Sequence, residues 1–343
     1  MCLTASAAAP AVAVEPAPET SMASGILIDH DSGQVFWSKN PEAPRPPASL
    51  TKILTALIVI DRLNPDDQVT MTREINTVGG ATIGAEDGWT ISVRDLLSGM
   101  LLESGNDAAT ALAIKASPDG SVAGFVELMN QRAREIGATK SVFVNAHGLD
   151  EPGQVSTALD LALISMAAMR NPLFAKIVRA RDHEVRWGDG TLKSFQNANR
   201  LLTRYPGAVG IKTGYTAESG RNLASAVKSG DDTLLAIALG ASDHYAETAE
   251  LYDWAIPNLD ELRAGASLIL RPVYRSSTTR LDLRGLEVVE YEPRAARTGP
   301  PPLLVPALAL LLAGGLGVWL RRRPEARHQE SSSGDWVEAP QDT

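Results

Sequence analysis

The sequence of 343 residues has very little cysteine and lacks an excess of basic residues. Its one cysteine, Cys2, cannot close an intramolecular disulfide, so the fold must be stable without one. The net charge of −9 argues against a nucleic-acid partner, because binding of that kind needs a basic face to neutralise phosphates. Apolar residues make up 44% and charged residues 21%, which is typical of a globular protein with a core.

Two common catalytic patterns are also missing. The histidines show neither an HExxH pattern nor paired metal-ligand spacing, and no G-x-S-x-G elbow occurs. We therefore predict that all of them are structural, and that the one in NAHGLD (145–150) lies in a loop supporting a cleft. The histidines are His30, His147, His183, His244 and His328.

Long hydrophobic runs are absent except near the C-terminus, where residues 303–320 contain no charge. At 1.5 Å per residue this run nearly spans a hydrocarbon core of about 30 Å. The alternative is a buried core helix, but three arginines (321–323) and a polar tail follow at once. The pattern predicts one transmembrane helix at 303–320 and a cytoplasmic polar tail at 321–343, with everything N-terminal outside.

The N-terminal residues 1–21 are predicted to be a leader or signal-peptide remnant. They are rich in alanine and proline and contain a small-residue cleavage pattern, but the basic start of a signal peptide is missing. Both ends of the chain thus indicate export.

Between the ends, the periodicity indicates strands, then a helical block, then an antiparallel sheet. Gly25–Lys39 has the pattern of a hairpin, and residues 49–63 predict a helix that is buried on nearly every face. Helical periodicity returns several times, the last time from Ala158 to Val178 after the capping residues Thr157 and Asp160. Strand patterns follow in HEVRW, LKSFQ, GAVGIKTG, NLASAVK and TLLAIALG. The last three are separated by short turns typical of antiparallel neighbours, and this antiparallel sheet must pair with the first hairpin. A helix from Tyr245 to Ile256 closes the domain.

Ser49 and Lys52 are separated by one helical turn, so both side chains lie on one face with Cβ atoms about 5–6 Å apart. That spacing allows an amine to take the hydroxyl proton, since burial lowers the pKa of a lysine and frees it to act as a base. A Ser-x-x-Lys match alone is weak. Ser225 and Lys228 also match, but they lie in a strand pattern where positions i and i+3 point to opposite faces, so we interpret that match as accidental.

Two further motifs occur in the order that the same chemistry requires. Ser104-Gly105-Asn106 lies between two helical segments, where a helix-capping turn is the alternative interpretation. Lys212-Thr213-Gly214 ends a predicted strand, where a lysine and a hydroxyl can bind a carboxylate and a glycine allows close approach of a substrate backbone. Ser-x-x-Lys, Ser-x-Asn and Lys-Thr-Gly together are typical of penicillin-binding proteins and class A β-lactamases.

With these motifs, residues 22–256 resemble the serine-type D-Ala-D-Ala carboxypeptidases, the low-molecular-mass penicillin-binding proteins. The resemblance extends to PASLTKILTAL, VRDLLSGMLLESGNDAA, FVNAHGLD, STALDLA and GIKTGYTAESGRNLASA. It implies an α+β fold of the β-lactamase/transpeptidase type, with an antiparallel sheet flanked by helices and a helical subdomain. It also implies peptidoglycan stem peptides ending in D-Ala-D-Ala as substrates, β-lactams as covalent inhibitors, and no metal or organic cofactor.

The resemblance assigns a role to each motif residue. Ser49 is the nucleophile, Lys52 the base for acylation, and Ser104 the hydroxyl that relays a proton to the leaving amine. Asn106 is expected to hydrogen-bond the substrate backbone, Lys212 and Thr213 to hold the terminal carboxylate, and Gly214 to allow close approach. The N–H groups of Ser49 and Tyr215 are expected to form the oxyanion hole.

The chain departs from this family at its C-terminal side. Only a short β-like stem and Pro-rich linker (257–302) precede the apolar run, and GASDHYAE after the last strand has no arginine to help hold a carboxylate. Three alternative functions use related features: a D,D-endopeptidase acting on cross-links, a β-lactamase, and a catalytically silent penicillin-binding scaffold. A β-lactamase needs a deacylating carboxylate, usually in Glu-x-x-Leu-Asn, and Glu127-Leu128-Met129-Asn130 is one residue short. A silent scaffold predicts erosion of a motif, and none is eroded.

Overall fold

The computed structural model describes residues 14–273. Strands β1 (Ser24–Asp29) and β2 (Val35–Lys39) form the predicted hairpin, with Gly25 opposite Lys39 and Leu27 opposite Trp37. Its turn contains Gly33, whose φ of +76° is a left-handed conformation that glycine adopts without a Cβ penalty.

The hairpin belongs to a five-stranded antiparallel sheet with strands from the second half of the chain. These are β7 (Ala208–Thr216), β8 (Gly220–Ser229) and β9 (Asp232–Ala241), and the spatial order is β2-β1-β9-β8-β7. Strand β1 pairs with β9, so the prediction that the late sheet pairs with the first hairpin is confirmed. Strand β7 therefore lies at an edge of the sheet, where one side of its backbone is open to another molecule.

The helical block lies against one face of the sheet. The predicted buried helix is α1 (Thr51–Arg62), whose first nine residues are all buried. Three more predicted helical segments are confirmed as helices, and their bounds are α2 (Val93–Leu102), α3 (Asn106–Ala116) and α4 (Val122–Ile136). Helix α5 (Ala158–Met169) covers the first part of the next predicted segment. The predicted cap is present too, since Thr157 accepts a hydrogen bond from the Asp160 amide.

The prediction of one helical stretch from Ala158 to Val178 is wrong. The chain bends by 104° after Met169, and a separate helix α6 (Pro172–Arg179) begins at Pro172 with Asn171 as its cap. Proline has no amide hydrogen and its ring clashes with the preceding turn, so it starts a new helix rather than continuing the old one. Among residues 14–273 no single helix has the length and apolar character to cross a membrane; α5 and α6 meet that test only jointly, as a bent pair.

Two small hairpins lie outside the main sheet. One joins β3 (Gln68–Thr70) to β4 (Thr90–Ser92), and the other joins β5 (Asp182–Arg186) to β6 (Leu192–Gln196). The HEVRW and LKSFQ patterns thus form strands of their own hairpin. It contacts α2, where His183 Nε2 lies 2.7 Å from Asp95 Oδ1.

Apolar residues fill both faces of the main sheet. The larger core lies between the sheet and the helical block, and the smaller core lies between the sheet and α8 (His244–Ala255), where Tyr252 is fully buried. Helix α8 confirms the predicted closing helix to within one residue at each end. A short helix α7 (Leu201–Arg204) precedes β7.

The described residues after α8 remain packed on the same body. Helix α9 (Leu259–Gly265) was not predicted, and its Arg263 bridges Asp29 and Asp232 at 2.7 and 2.5 Å. Ile269 forms an isolated bridge with Gln34, in keeping with its β-like pattern. The predicted transmembrane helix, the tail, most of the stem and linker, and residues 1–13 of the leader lie outside the described residues.

Candidate active site

Ser49 lies in a 3-10 turn (Ala48–Leu50) that leads directly into α1. It is half-buried between the helical block and the edge strand β7. The preceding Ala48 has a φ of +48°, which is unfavourable for an L-residue and persists only where the surroundings impose it. The turn therefore fixes the direction in which the Ser49 hydroxyl points.

Lys52 is one turn further on and is completely buried. Its Nζ lies 2.9 Å from Ser49 Oγ and 2.7 Å from Asn106 Oδ1, and it also donates to the carbonyl of His147. Burial lowers the pKa of Lys52 well below its usual value, and the charge of Lys212 lowers it further, while Asp107 raises it. Lys52 is thus neutral more readily than an ordinary lysine.

The contacts of Lys52 determine where its lone pair points. A neutral amine has two N–H bonds and one lone pair, and the carbonyl oxygens of Asn106 and His147 can only accept hydrogen bonds. These two acceptors use both N–H groups. The lone pair is left facing the Ser49 hydroxyl, so the geometry prepares Lys52 to take the proton of Ser49.

Ser104 contacts the nucleophile from the other side. It lies in the loop between α2 and α3 with a φ of +68°, and its Oγ donates to Ser49 Oγ at 2.8 Å. Ser49 Oγ is therefore in contact with both the amine of Lys52 and the hydroxyl of Ser104. Lys52 can therefore take the proton of Ser49, while Ser104 keeps a hydroxyl proton that it can give to another group.

Asn106 connects this cluster to a loop that borders the cleft. Its amide donates to the Gly79 carbonyl at 2.7 Å, while its oxygen accepts from Lys52. One of its two amide hydrogens is thus engaged within the protein. The neighbouring Asp107 is buried and accepts four backbone hydrogen bonds, from Ile83 (to each carboxylate oxygen), Gly84 and Ala108, which hold the same loop in place.

The other side of the cleft is the edge strand β7. Lys212 is 1% exposed, and among residues 14–273 its Nζ donates one hydrogen bond, to the Thr213 carbonyl at 3.0 Å. Burial lowers the pKa of Lys212 to about 7. Within residues 14–273 no carboxylate lies within 4 Å of this ammonium group. A buried cation without a counter-charge is a favourable place for a ligand carboxylate.

Gly214 brings the strand close to the nucleophile. A Cβ added to it would lie 3.1 Å from Ser49 N and 2.9 Å from Leu50 Cδ1, so a side chain there would push the strand away. Tyr215 follows and is 69% exposed. The structure therefore brings residues of all three motifs together: Ser49, Lys52, Ser104 and Asn106 are joined by hydrogen bonds, Gly214 packs against Ser49, and the charge of Lys212 acts on Lys52. Thr213 and Tyr215 are their neighbours on β7.

The loop 145–150 contributes to the site in a way that the sequence predicted only in part. We predicted that it supports the cleft, but its contribution is the backbone carbonyl of His147 that accepts from Lys52. The imidazole itself is kept neutral, because burial and the charge of Lys52 lower its pKa to about 4. Gly148 is packed so closely that a Cβ would lie 1.9 Å from the Ala48 carbonyl oxygen. The NAHGLD segment indicated a supporting loop, but no residue type in it indicated that a backbone carbonyl would contact Lys52.

The second Ser-x-x-Lys match lies away from the cleft. Ser225 is on β8 and hydrogen-bonds the hydroxyl of Tyr252 at 2.9 Å, whereas Lys228 is exposed. The interpretation of this match as accidental is confirmed.

Comparisons with known proteins agree with this geometry. The family model described as D-alanyl-D-alanine carboxypeptidase, Peptidase S11, matches residues 11–243. D-alanyl-D-alanine carboxypeptidase DacF of Bacillus subtilis is 34% identical over 242 residues, covering 68% of this chain and 61% of the relative. DacB2 of Mycobacterium tuberculosis is 36% identical over 248 residues, covering 70% of this chain and 84% of the relative. The chain thus spans less than two thirds of the Bacillus relative and most of the mycobacterial one.

Solved structures show the same similarity. A penicillin-binding protein homologue from Mycobacterium tuberculosis has a TM-score of 0.69 at 34% identity, covering 75% of this chain and 98% of that one. The DD-transpeptidase of Streptomyces K15 has a TM-score of 0.68 at 26% identity, covering 71% of this chain and 100% of that one. The expected α+β fold of the transpeptidase type is confirmed.

Proposed function

The chain belongs to the D-alanyl-D-alanine carboxypeptidase family, and from this premise we propose that it removes the terminal D-Ala from peptidoglycan stem peptides through an acyl-enzyme on Ser49. One observation carries the proposal. Ser49 Oγ lies 2.9 Å from the buried Lys52 amine and 2.8 Å from the Ser104 hydroxyl. This arrangement supplies a nucleophile, its base and a proton relay at one point.

In the acylation step, the Lys52 lone pair takes the hydroxyl proton and Ser49 Oγ attacks the carbonyl carbon of the penultimate D-Ala. The oxygen of that carbonyl becomes negative and is stabilised by the N–H groups of Ser49 and Tyr215. The proton passes from Lys52 through Ser104 to the leaving nitrogen, the C–N bond breaks, and free D-Ala departs. In the second step Lys52 takes a proton from water, the resulting hydroxide breaks the ester bond, and Ser49 Oγ is reprotonated.

Substrate selection is assigned to the strand side of the cleft. Lys212 and Thr213 hold the carboxylate of the terminal residue, and Asn106 and the edge of β7 hold the peptide backbone. A penicillin mimics the same end of the peptide, so the same groups bind its carboxylate while Ser49 opens the lactam ring. β-Lactams are therefore proposed as covalent inhibitors.

The β-lactamase alternative is disfavoured by the contacts of the cluster. In the described part of the chain, no Asp or Glu side chain hydrogen-bonds Ser49, Lys52 or Ser104. Glu127 is exposed on α4, and Asn130 bonds the backbone of Phe143 rather than the cleft. Without a carboxylate to activate water against a tethered penicilloyl group, turnover of penicillin should be slow.

The test is to incubate the protein with a pentapeptide ending in D-Ala-D-Ala and, separately, with a cross-linked dimer, and to identify the products by mass. We expect release of one D-Ala from the pentapeptide. Cleavage of the dimer alone would assign a D,D-endopeptidase, and rapid hydrolysis of penicillin without D-Ala release would assign a β-lactamase.

We also propose that the chain is a single-pass protein of the bacterial cell membrane with its catalytic domain outside the cytoplasm. The support is the uncharged run 303–320 followed by three arginines. Protease added to intact spheroplasts should digest the catalytic domain and spare the tail after Arg323. Protection of the catalytic domain would contradict this topology.

A further inference from the structure

A pocket separate from the catalytic cleft lies at the opposite end of the edge strand β7 from the motif residues. It is open, has a volume of about 580 Å³, and includes Ala208 at the start of β7. Ala208 precedes Lys212 by four residues, which corresponds to about 13 Å along a strand. The pocket is therefore outside the catalytic cluster.

Its lining is strongly basic in an otherwise acidic protein. Four cationic side chains line it: Arg179, Arg181, Arg204 and Lys228. They come from four places in the chain: the last turn of α6, the segment before β5, the last turn of α7, and β8. Within the part of the chain that the structure describes, no Asp or Glu side chain lines the pocket. The net charge of the whole chain is −9, so this concentration of positive charge is not a property of its average surface.

Among the described residues the four cations form no close ion pairs, although the charge of Arg204 helps to lower the pKa of Asp243. Within residues 14–273, none of them lies within 4 Å of a carboxylate. Arg179 and Arg204 complement the negative ends of their helices, which accounts for their positions without any ligand. Arg181 and Lys228 are not on helices and have no such explanation. Four like charges around one pocket repel each other, and a multivalent anion would offset that repulsion.

From these observations we propose that the pocket binds a phosphate-bearing ligand, either an oligophosphate or a phosphodiester. Three of the four cations are arginines, whose planar guanidinium groups donate two parallel hydrogen bonds to phosphate oxygens. A carboxylate carries one charge, whereas linked phosphates carry several within a few ångströms. A volume of about 580 Å³ is within the usual range for small-molecule sites and accommodates several phosphates or a phosphate with an attached sugar or glycerol.

The test uses the full chain in a non-ionic detergent and titrates it with sodium tripolyphosphate in a calorimeter. The double variant Arg181→Ala/Lys228→Ala removes the two cations that no helix end explains. The matched control, Arg73→Ala/Arg134→Ala, removes the same charge from two exposed arginines elsewhere on the surface. We expect the pocket variant to weaken binding by about tenfold or more and the control by less than about twofold. Thermal unfolding of each variant checks that the fold is retained.

Two further titrations identify the chemical class of the ligand. Citrate carries a similar charge on carboxylates, and it should bind at least about tenfold more weakly than tripolyphosphate. Glycerophosphoglycerol presents one phosphodiester without a lipid tail; if it displaces tripolyphosphate the natural source is a phosphodiester, and if it does not the source is an oligophosphate. The proposal is overturned if tripolyphosphate does not bind at millimolar concentration, if both double variants lose affinity equally, or if citrate binds as tightly.

Discussion

The two sides of the catalytic cleft differ in how complete they are before a substrate arrives. On the helical side, Lys52 contacts Ser49, Asn106 and the carbonyl of His147. On the strand side, Lys212 is just as deeply buried, yet within the described residues its Nζ hydrogen-bonds only the adjacent Thr213 carbonyl. One buried lysine has three partners and the other has one.

This difference separates chemistry from recognition. The helical side needs a neutral amine, and its two carbonyl acceptors orient that amine without a counter-charge. The strand side needs a positive charge, and it keeps the corresponding partner position open for a carboxylate. Changes on the helical side should therefore lower kcat, while changes on the strand side should raise KM. The following experiments test that division, from the largest expected effect to the smallest.

The largest effect is expected for Lys52→Arg. A guanidinium stays protonated and cannot accept the Ser49 proton, so acylation should slow by about 10²–10⁴-fold. The rate of acylation by a chromogenic penicillin measures this effect. Lys228→Arg is the matched control, because it changes the lysine of the accidental Ser-x-x-Lys match on β8 and should have no effect. Near-normal peptidase activity in Lys52→Arg would refute the role of Lys52 as base.

Lys212→Met should raise KM for the pentapeptide by about 10–100-fold, because a charge-assisted hydrogen bond to the carboxylate is lost. It should also raise Tm at pH 7 by at least about 2 °C, because it removes a buried, poorly partnered amine. A fall in kcat at unchanged KM would contradict the division between the two sides.

The stability gain from Lys212→Met should depend on pH. The folded pKa of about 7 lies below the usual 10.5, so the folded protein holds fewer protons than the unfolded chain between these values. Stability of the parent protein therefore rises with pH across that window, and the advantage of the Met variant should shrink from pH 7 to 10. Thermal unfolding at several pH values measures the trend, and a constant advantage would contradict it.

Gly148→Ala tests the loop that orients Lys52. The added Cβ would lie 1.9 Å from the Ala48 carbonyl oxygen, and the φ of +90° is unfavourable for alanine. We expect the free energy of unfolding to fall by at least about 3 kcal/mol and acylation to slow. Gly153→Ala is the matched control: its φ is +91°, but the nearest atom to the new Cβ is Val144 Cγ1 at 3.9 Å. Gly153→Ala should lower the free energy of unfolding by about 1–2 kcal/mol and leave the rate of acylation unchanged. Equal losses in the two variants, measured by chemical denaturation, would show that close packing of Gly148 is unimportant.

The smallest effect is the pH dependence of substrate capture. Lys212 must be charged to hold a carboxylate, and it loses its proton above about pH 7. For a single group, the protonated fraction falls about fivefold from pH 7 to 8, and kcat/KM should fall accordingly. Lys52 acts in the opposite direction, since it must be neutral. Lys212→Met separates the titration of Lys212 from that of Lys52, because the fall in kcat/KM above pH 7 should disappear in this variant.

The sequence predicted the chemistry-bearing residues better than the backbone that positions them. Ser49, Lys52 and Lys212 were recognisable because their residue types and motif spacing are those that the proposed reaction requires. The left-handed conformations of Ala48 and Ser104 were not predicted, because neither residue type favours a positive φ and tertiary packing imposes it. The contribution of His147 was missed for a related reason, since a backbone carbonyl leaves no signature in residue type.

The fold was predicted in the same uneven way. Strand pairing and most helices follow from hydrophobic periodicity, which depends on which face is buried. The break before Pro172 was visible in the sequence, but the apolar pattern on both sides obscured it. Helix α9 was missed because its attachment is an ion-pair contact, between Arg263 and the acids Asp29 and Asp232, and these are far apart in the sequence.

The central claim is that Ser49 is acylated by substrates and inhibitors that mimic D-Ala-D-Ala. The most direct measurement is mass spectrometry of the full chain after a brief incubation with benzylpenicillin, followed by digestion. We predict a long-lived penicilloyl adduct on the peptide that contains Ser49, absent in Ser49→Ala and retained in Ser225→Ala. An adduct on another residue, or none in a folded protein that releases D-Ala, would contradict the account.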